Sequence, residues 1–218
     1  MIHLPFLNRF EAGWLLAAAL AKEGDQPGVI VVALPRGGVP VGFEIARALY
    51  APLDVLPVRK LGMPGHRELG IGAIAAGGVK VLDEAYIKEM NIPADAIERV
   101  AAEETQRLAQ QEHLFRLGPK QDLSGRTVIL VDDGLATGWT MRAAVKAARK
   151  QGAARVVVAV PVCSRQGRMD LSHEADEVVC LATPDPFFAV GAWYEDFSQT
   201  SDEEVRNLLS AAVPSEVR

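Results

Sequence analysis

Residues 127–140, TVILVDDGLATGWT, constrain the fold more than any other stretch of the chain. Five strand formers run into two adjacent acids, Asp132 and Asp133, then into a loop of small residues with two hydroxyls, and then into a helix predicted to begin near Met141. A strand that is apolar throughout is covered on both faces, so it belongs to a parallel sheet clad in helices. The loop that follows has the layout of a phosphate site. Amides at the start of a helix lack intrahelical partners and carry partial positive charge, which favours an anion. Thr137 and Thr140 can add hydroxyl donors, while Gly134 and Gly138 let the backbone curl close to a ligand. Two carboxylates beside an anion need something else to hold. Asp132 and Asp133 can accept hydrogen bonds from paired sugar hydroxyls or face a divalent cation. The implied ligand is a ribose 5-phosphate.

The same alternation runs through the rest of the chain. Strand-like runs occupy residues 29–34, 53–58, 155–160 and 177–181, and helical patterns fall at 39–49, 141–150 and 165–172. Such a sequence specifies an α/β fold, a mostly parallel doubly wound sheet whose ligands gather at the carboxyl ends of the strands. With 218 residues the chain is long enough for a single domain over 1–218 that carries an insertion. The insertion is helical, residues 84–117, with Pro93 opening its main helix and Glu98, Arg99, Glu103, Glu104 and Arg107 expected on a solvated face. Residues 184–218 begin as an aromatic loop and end in a helix capped by Ser201 or Asp202.

Charge and cysteine usage narrow the partners. A net charge of −5 argues against an extended nucleic-acid surface, so an anionic ligand has to be met by a local cluster of cations. Cys163 and Cys180 are the only cysteines and lack metal-type spacing, which reads as buried free thiols and a cytoplasmic setting. The apolar stretch 14–21 is too short to span a membrane, and no basic region precedes it as a signal peptide would require.

VILVDDGLATGWT resembles the thirteen-residue phosphoribosyl-pyrophosphate binding signature of type I phosphoribosyltransferases. The resemblance implies that Asp132 and Asp133 hold the ribose hydroxyls. It also implies that the segment Gly134, Leu135, Ala136, Thr137, Gly138, Trp139 and Thr140 wraps the 5-phosphate. Trp139 departs from the pattern, since the family usually has a small residue there. Leu34-Pro35-Arg36-Gly37-Gly38 is similar to the family's pyrophosphate loop: the paired glycines after a buried strand free amides to face a ligand, and the Arg36 guanidinium suits phosphate oxygens. Arg59 and Lys60, at the end of the second strand, place two cations against a pyrophosphate, beneath a movable cover formed by residues 61–69. Residues 70–76 and 79–83 read as a hairpin turning at Gly77-Gly78.

The aromatic tail resembles that of hypoxanthine-guanine enzymes, in which Phe187 or Phe188 would stack on the base and Asp196 would contact a magnesium ion. One extra residue separates Val190-Gly191 from that acid. Ala136, by contrast, stands where oxopurine enzymes carry an aspartate, and the Asp-Asp-x-Leu-Ala-Thr-Gly run is nearer to the adenine and uracil enzymes. The two ends of the site thus point to different bases.

The expected activity is transfer of a phosphoribosyl group from phosphoribosyl pyrophosphate to a nitrogen of a nucleobase or similar heterocycle, with release of pyrophosphate. Asp132, Asp133, Lys60 and Arg36 would be catalytic, Mg2+ would sit on Asp133 and Asp196, and a homodimer is expected by analogy. The alternative is a regulatory protein that senses phosphoribosyl pyrophosphate without turning it over. An aspartyl phosphatase would need acid, spacer, acid at the strand end, whereas Asp132 and Asp133 are contiguous.

Overall fold

The computed structural model describes residues 3–24, 26–118 and 120–212. Its main sheet has five parallel strands: β1 (Val29–Ala33), β2 (Leu53–Val55), β6 (Thr127–Val131), β7 (Arg155–Val162) and β8 (Glu177–Ala182), in the order β2-β1-β6-β7-β8. The alternation of side chains sorts the apolar residues onto two faces. Ile30, Val32, Val128, Leu130, Val156 and Val158 pack on one side, beneath α6 (Trp139–Lys150). Val29, Val31, Ile129 and Val157 pack on the other, against α1 (Arg9–Ala19) and α3 (Gly38–Leu49). Burial on both faces explains why these strands are apolar throughout.

The chain leaves β1 for β2 on one side and leaves β6 for β7 on the other. The loops after β1 and β6 therefore diverge and open a crevice between them, where an open α/β sheet takes its ligand. Their strands are in direct register, with Ala33 opposite Val131.

Two expectations about residues 53–69 give way here. The single strand over 53–58 is divided: β2 stays in the parallel sheet, while β3 (Val58–Met63) joins a separate antiparallel sheet, β3-β4-β5, with β4 (His66–Ala75) and β5 (Val79–Leu82). Pro57 stands between the two sheets and has no N–H to continue a ladder. Residues 61–69 are not a loop either, because Met63 pairs with His66 across a tight turn at Pro64-Gly65, with Gly65 at φ +80. Pro then Gly suits such a turn because proline presets its first position and glycine accepts positive φ at its second. The resulting arm has exposed residues from Gly65 to Gly70.

The insertion forms α4 (Glu84–Glu89) and α5 (Ala94–Phe115). Ile97, Ala101 and Leu108 of α5 cover Leu61, Ile71 and Ile74 of the antiparallel sheet. Glu104 is a correction to the expected polar face: it is buried, accepting from Arg59 Nε at 2.5 Å and from Arg107 at 2.7 Å. A buried carboxylate persists when it is paired in this way.

At the chain's other end Ser201 caps α8 (Asp202–Ala211), whose Val205 and Leu209 pack with Phe115 and Val39. The thiols of Cys163 and Cys180 are free, with Cys163 Sγ donating to Cys180 Sγ at 2.7 Å, and this contact lowers the Cys163 pKa to about 7. Among the described residues no helix is long and apolar enough to cross a membrane.

Candidate active site

The loop after β6 is shaped by what lies beneath it. Leu135 donates to the Val162 carbonyl at 2.9 Å, Ser164 N donates to the Leu135 carbonyl at 2.8 Å, and Ser164 Oγ donates to the Ala136 carbonyl at 2.6 Å. The loop is thereby laced to the end of β7. Gly134 has no room for a side chain, because an added Cβ would collide with Val190. Gly138 takes a left-handed conformation, φ +79, and α6 starts at Trp139, two residues earlier than the sequence suggested. The left-handed residue turns the chain into the helix, a conformation glycine adopts without strain. Thr137 is exposed and Thr140 half-buried, so both are reachable from solvent. Trp139 packs against the core, with the Arg142 guanidinium 4.7 Å from its ring centre.

The loop after β1 touches the acids directly. An added Cβ on Gly37 would meet the Asp133 carboxylate, and one on Gly38 would come within 2.6 Å of the Val131 carbonyl. The paired glycines are therefore required for close approach of two loops. Gly38 N donates to the Leu34 carbonyl at 3.0 Å and Val39 N to the Arg36 carbonyl at 3.1 Å, so these two amides close the turn itself. The Pro35-Arg36 peptide is cis. Arg36 lies 3.5 Å from Asp202 of α8 in a half-exposed ion pair.

Asp132 and Asp133 lie side by side, and the Asp133 amide donates to Asp132 Oδ1 at 2.9 Å. Burial and the neighbouring Asp133 push the Asp132 carboxyl well above the usual carboxylate range, against the pull of Arg9 and Lys60. Burial also raises Asp133, while the Arg9 guanidinium holds it down. Arg9 Nε donates to Asp133 Oδ2 at 2.8 Å, its Nη1 donates to the Ser198 carbonyl at 2.7 Å, and its plane lies 4.0 Å from the Phe197 ring centre. Tyr194 donates its hydroxyl to the Asp133 carbonyl at 2.5 Å. Replacing Tyr194 by Phe should cost about 1–2 kcal/mol, the net worth of a buried hydrogen bond together with the carbonyl left unpaired, read as a lower midpoint in urea.

Linkage gives the acids a second measurable consequence. A carboxyl whose native pKa is raised is protonated more readily in the fold than in the unfolded chain. Its contribution is fully present below the unfolded value of about 3.9 and is lost as pH rises through the native one. At neutral pH the ligand-free pair therefore works against the fold. Asp132→Asn should be more stable than the wild type at pH 7, with the gap shrinking as the pH is lowered toward 4. An equal Tm difference at both pH values would refute this.

The other sequence candidates divide. Lys60 is an exposed strand residue whose charge acts on Asp132. Arg59, its neighbour, points to the opposite face of the sheet and is taken up by Glu104 of α5, away from the acids. Phe187 is half-buried with Trp193 6.4 Å away, whereas Phe188 is 84% exposed. Asp196 is exposed, and its carboxylate accepts from the Ser198 amide at 2.9 Å, which holds its pKa below the ordinary value.

Among the described residues no three His, Cys, Asp or Glu side chains converge on a metal position. The acid pair still fits magnesium, which is commonly held by one or two carboxylates and completed by substrate phosphates and water. Two adjacent, half-buried, mutually repelling carboxylates are the donor set that such an ion relieves.

Sequence reasoning passed over Arg9, Tyr194 and Ser164. Arg9 lies 124 positions from Asp133, and its only signal was Asn8, whose side chain accepts from Phe10 N and Glu11 N and so marks the start of α1. Its placement depends on residues 6 and 7 running beside 193–196: Phe6 N donates to Trp193 O and Glu195 N to Phe6 O, both at 2.8 Å, and Asp196 N donates to Leu7 O at 3.0 Å.

Comparison with known proteins agrees with this geometry. The family model for the phosphoribosyl transferase domain matches residues 65–196, more than half of the chain. A Mycobacterium tuberculosis protein whose name assigns it provisionally to the phosphoribosyl transferases is 48% identical over 211 residues, covering 95% of this chain and 47% of that protein. The chain thus spans about half the length of that relative. A ribose-phosphate pyrophosphokinase of Methanopyrus kandleri is 33% identical over 176 residues, 69% of this chain and 60% of that one. The crystal structure of TT1426 from Thermus thermophilus superposes with a TM-score of 0.79 at 44% identity, covering 94% of this chain and 98% of that one. With an acid pair and a loop of glycines and threonines at the crevice beside β1 and β6, and a family match over residues 65–196 that takes in both, the chain belongs to the phosphoribosyl transferase domain family.

Proposed function

We propose that this chain transfers a phosphoribosyl group from 5-phosphoribosyl 1-pyrophosphate to a ring nitrogen of a nucleobase-like heterocycle, releasing pyrophosphate. One observation carries the reading: the acid pair and the accessible turn Thr137 to Thr140 stand at the crevice where the sheet order reverses, with the β1 loop packed against the acids. The 5-phosphate would rest on the amides at the start of α6 and on the Thr137 and Thr140 hydroxyls. The ribose diol would be accepted by Asp132 and Asp133.

As the bond from the anomeric carbon to the pyrophosphate oxygen breaks, positive charge grows on the sugar and negative charge on the leaving group. The acids favour the first, and Lys60 and Arg36 the second. Magnesium, when bound, would neutralise part of the charge on the diphosphate. The nitrogen lone pair then forms the new bond to the anomeric carbon. The β3-β4 arm is suited to excluding water, which would otherwise hydrolyse the activated sugar. Phe187 or Phe188 is positioned in the sequence to contact the base, and a homodimer is the expected assembly by analogy.

The test is incubation with phosphoribosyl pyrophosphate, magnesium and a panel of purines, pyrimidines and pyridine carboxylates, following pyrophosphate. Magnesium-dependent release with at least one base, lost on chelation, supports the reading. Binding of phosphoribosyl pyrophosphate without release across the panel would instead favour a sensor.

A further inference from the structure

Arg9 is the one cation that touches the acid pair by a hydrogen bond among the described residues, and it is held from three sides: Asp133 at 2.8 Å, the Ser198 carbonyl at 2.7 Å and the Phe197 ring at 4.0 Å. The side chains of Arg9 and Asp133 are only 11% and 15% exposed, so the contact is far less screened than a surface pair. A guanidinium in this position occupies the carboxylate oxygen that a metal ion would use, and one charged group cannot serve both at once. We propose that Arg9 is an internal counter-ion that keeps free divalent cations off Asp133, so that the metal enters this site only together with the diphosphate substrate.

Charge explains the selectivity. A free hydrated cation must displace the guanidinium and lose water, and it gains only the carboxylates. A cation already bound to a diphosphate brings phosphate oxygens that Lys60 and Arg36 can hold, and it brings a ribose diol whose hydroxyls can share Asp132 and Asp133 with less need to expel Arg9. Arg9 in this role is a positioning residue that acts through Asp133. The inference rests on the reading of the acid pair as the ribose and metal site.

The experiment is titration of the whole protein with Mn2+ at pH 7, without any substrate, read by electron paramagnetic resonance of the free ion. Arg9→Gln should bind Mn2+ about tenfold more tightly than the wild type, since loss of a charged hydrogen bond of this kind is worth at least that factor. Arg9→Lys, which keeps the charge, should stay near the wild type. Arg9→Gln combined with Asp133→Asn should return to weak binding. If Arg9 served only to hold the N-terminal segment in place, its loss would loosen the site and weaken Mn2+ binding, so a gain separates the two roles. No gain in Arg9→Gln overturns the proposal. Should that variant not fold, Phe197→Leu carries the test, because it removes the ring beneath the guanidinium and leaves both charges. A gain of about two- to threefold supports the proposal and an unchanged affinity overturns it. Pyrophosphate release by the wild type is measured separately, so its failure would count against phosphoribosyl transfer while leaving the Mn2+ comparison readable.

Discussion

Asp133→Ala is expected to lower pyrophosphate release by at least about 10²-fold, the scale on which single groups that stabilise transition-state charge act, while leaving the protein folded. Two effects on stability oppose each other. Removing the carboxylate leaves Arg9 without its ionic partner at a site that is only 11% exposed, which costs stability. It also removes the like charge that raises Asp132, which restores stability. Arg9 keeps the Ser198 carbonyl and the Phe197 ring as partners, so it is not stranded. The net change in Tm should therefore be small beside the loss of rate. Asp133→Asn separates shape from charge: it preserves volume and can still accept from a diol, but it cannot balance a developing cation. If Asp133→Asn retains full turnover, the carboxylate is not needed for charge and the proposed role fails.

The second large effect is predicted at Gly38. An added Cβ would come within 2.6 Å of the Val131 carbonyl and 3.0 Å of the Asp132 Cα, backbone atoms at the end of β6 and just beyond it. Neither atom can yield without moving β6 relative to β1. Gly38→Ala should therefore destabilise the fold by about 2–3 kcal/mol, an overpacking cost, seen as a lower denaturant midpoint at unchanged m value. Gly70→Ala is the control: a Cβ there meets nothing within 4 Å, on an exposed part of the β3-β4 arm. It should be neutral or slightly stabilising, because alanine loses less backbone freedom than glycine on folding.

Gly37→Ala should behave differently from both. Its obstacle is the end of a side chain, the Asp133 carboxylate, and displacing that group would break the Arg9 contact more than the fold. Turnover should fall while the denaturant midpoint stays close to wild type. Equal stability losses in Gly37→Ala and Gly38→Ala would show that both collisions are resolved by the backbone.

How much was legible in the sequence followed from the range of the forces involved. The strands β1, β6 and β7 announced themselves because burial on both faces leaves an uninterrupted apolar run, and α7 (Arg165–Ser172) was placed to the residue. The hairpin at Gly77-Gly78 was visible because a two-glycine turn between apolar runs is a local signal. Residues 61–69 misled, because their glycines and proline read as a loop although they make a bulged hairpin with an ordinary Pro-Gly turn. Arg59 and Lys60 looked equivalent as neighbouring cations, yet a strand sends neighbours to opposite faces, and only the partner sheet and α5 decided which one looks toward the acids.

By itself the sequence determined the parallel α/β architecture, the acid pair at the end of β6, and the glycine-bearing turn into α6 that follows it. These rest on periodicity, turn chemistry and helix-start geometry, all of which act over a few residues. The tertiary structure alone decided how the two strand-end loops meet and what surrounds the acids. Gly37 fits against Asp133, Tyr194 reaches its carbonyl, and Arg9 arrives from a segment 124 residues away. No local pattern encodes such contacts, since they arise only when separate pieces of chain are packed into one crevice and the charges they carry must find partners there.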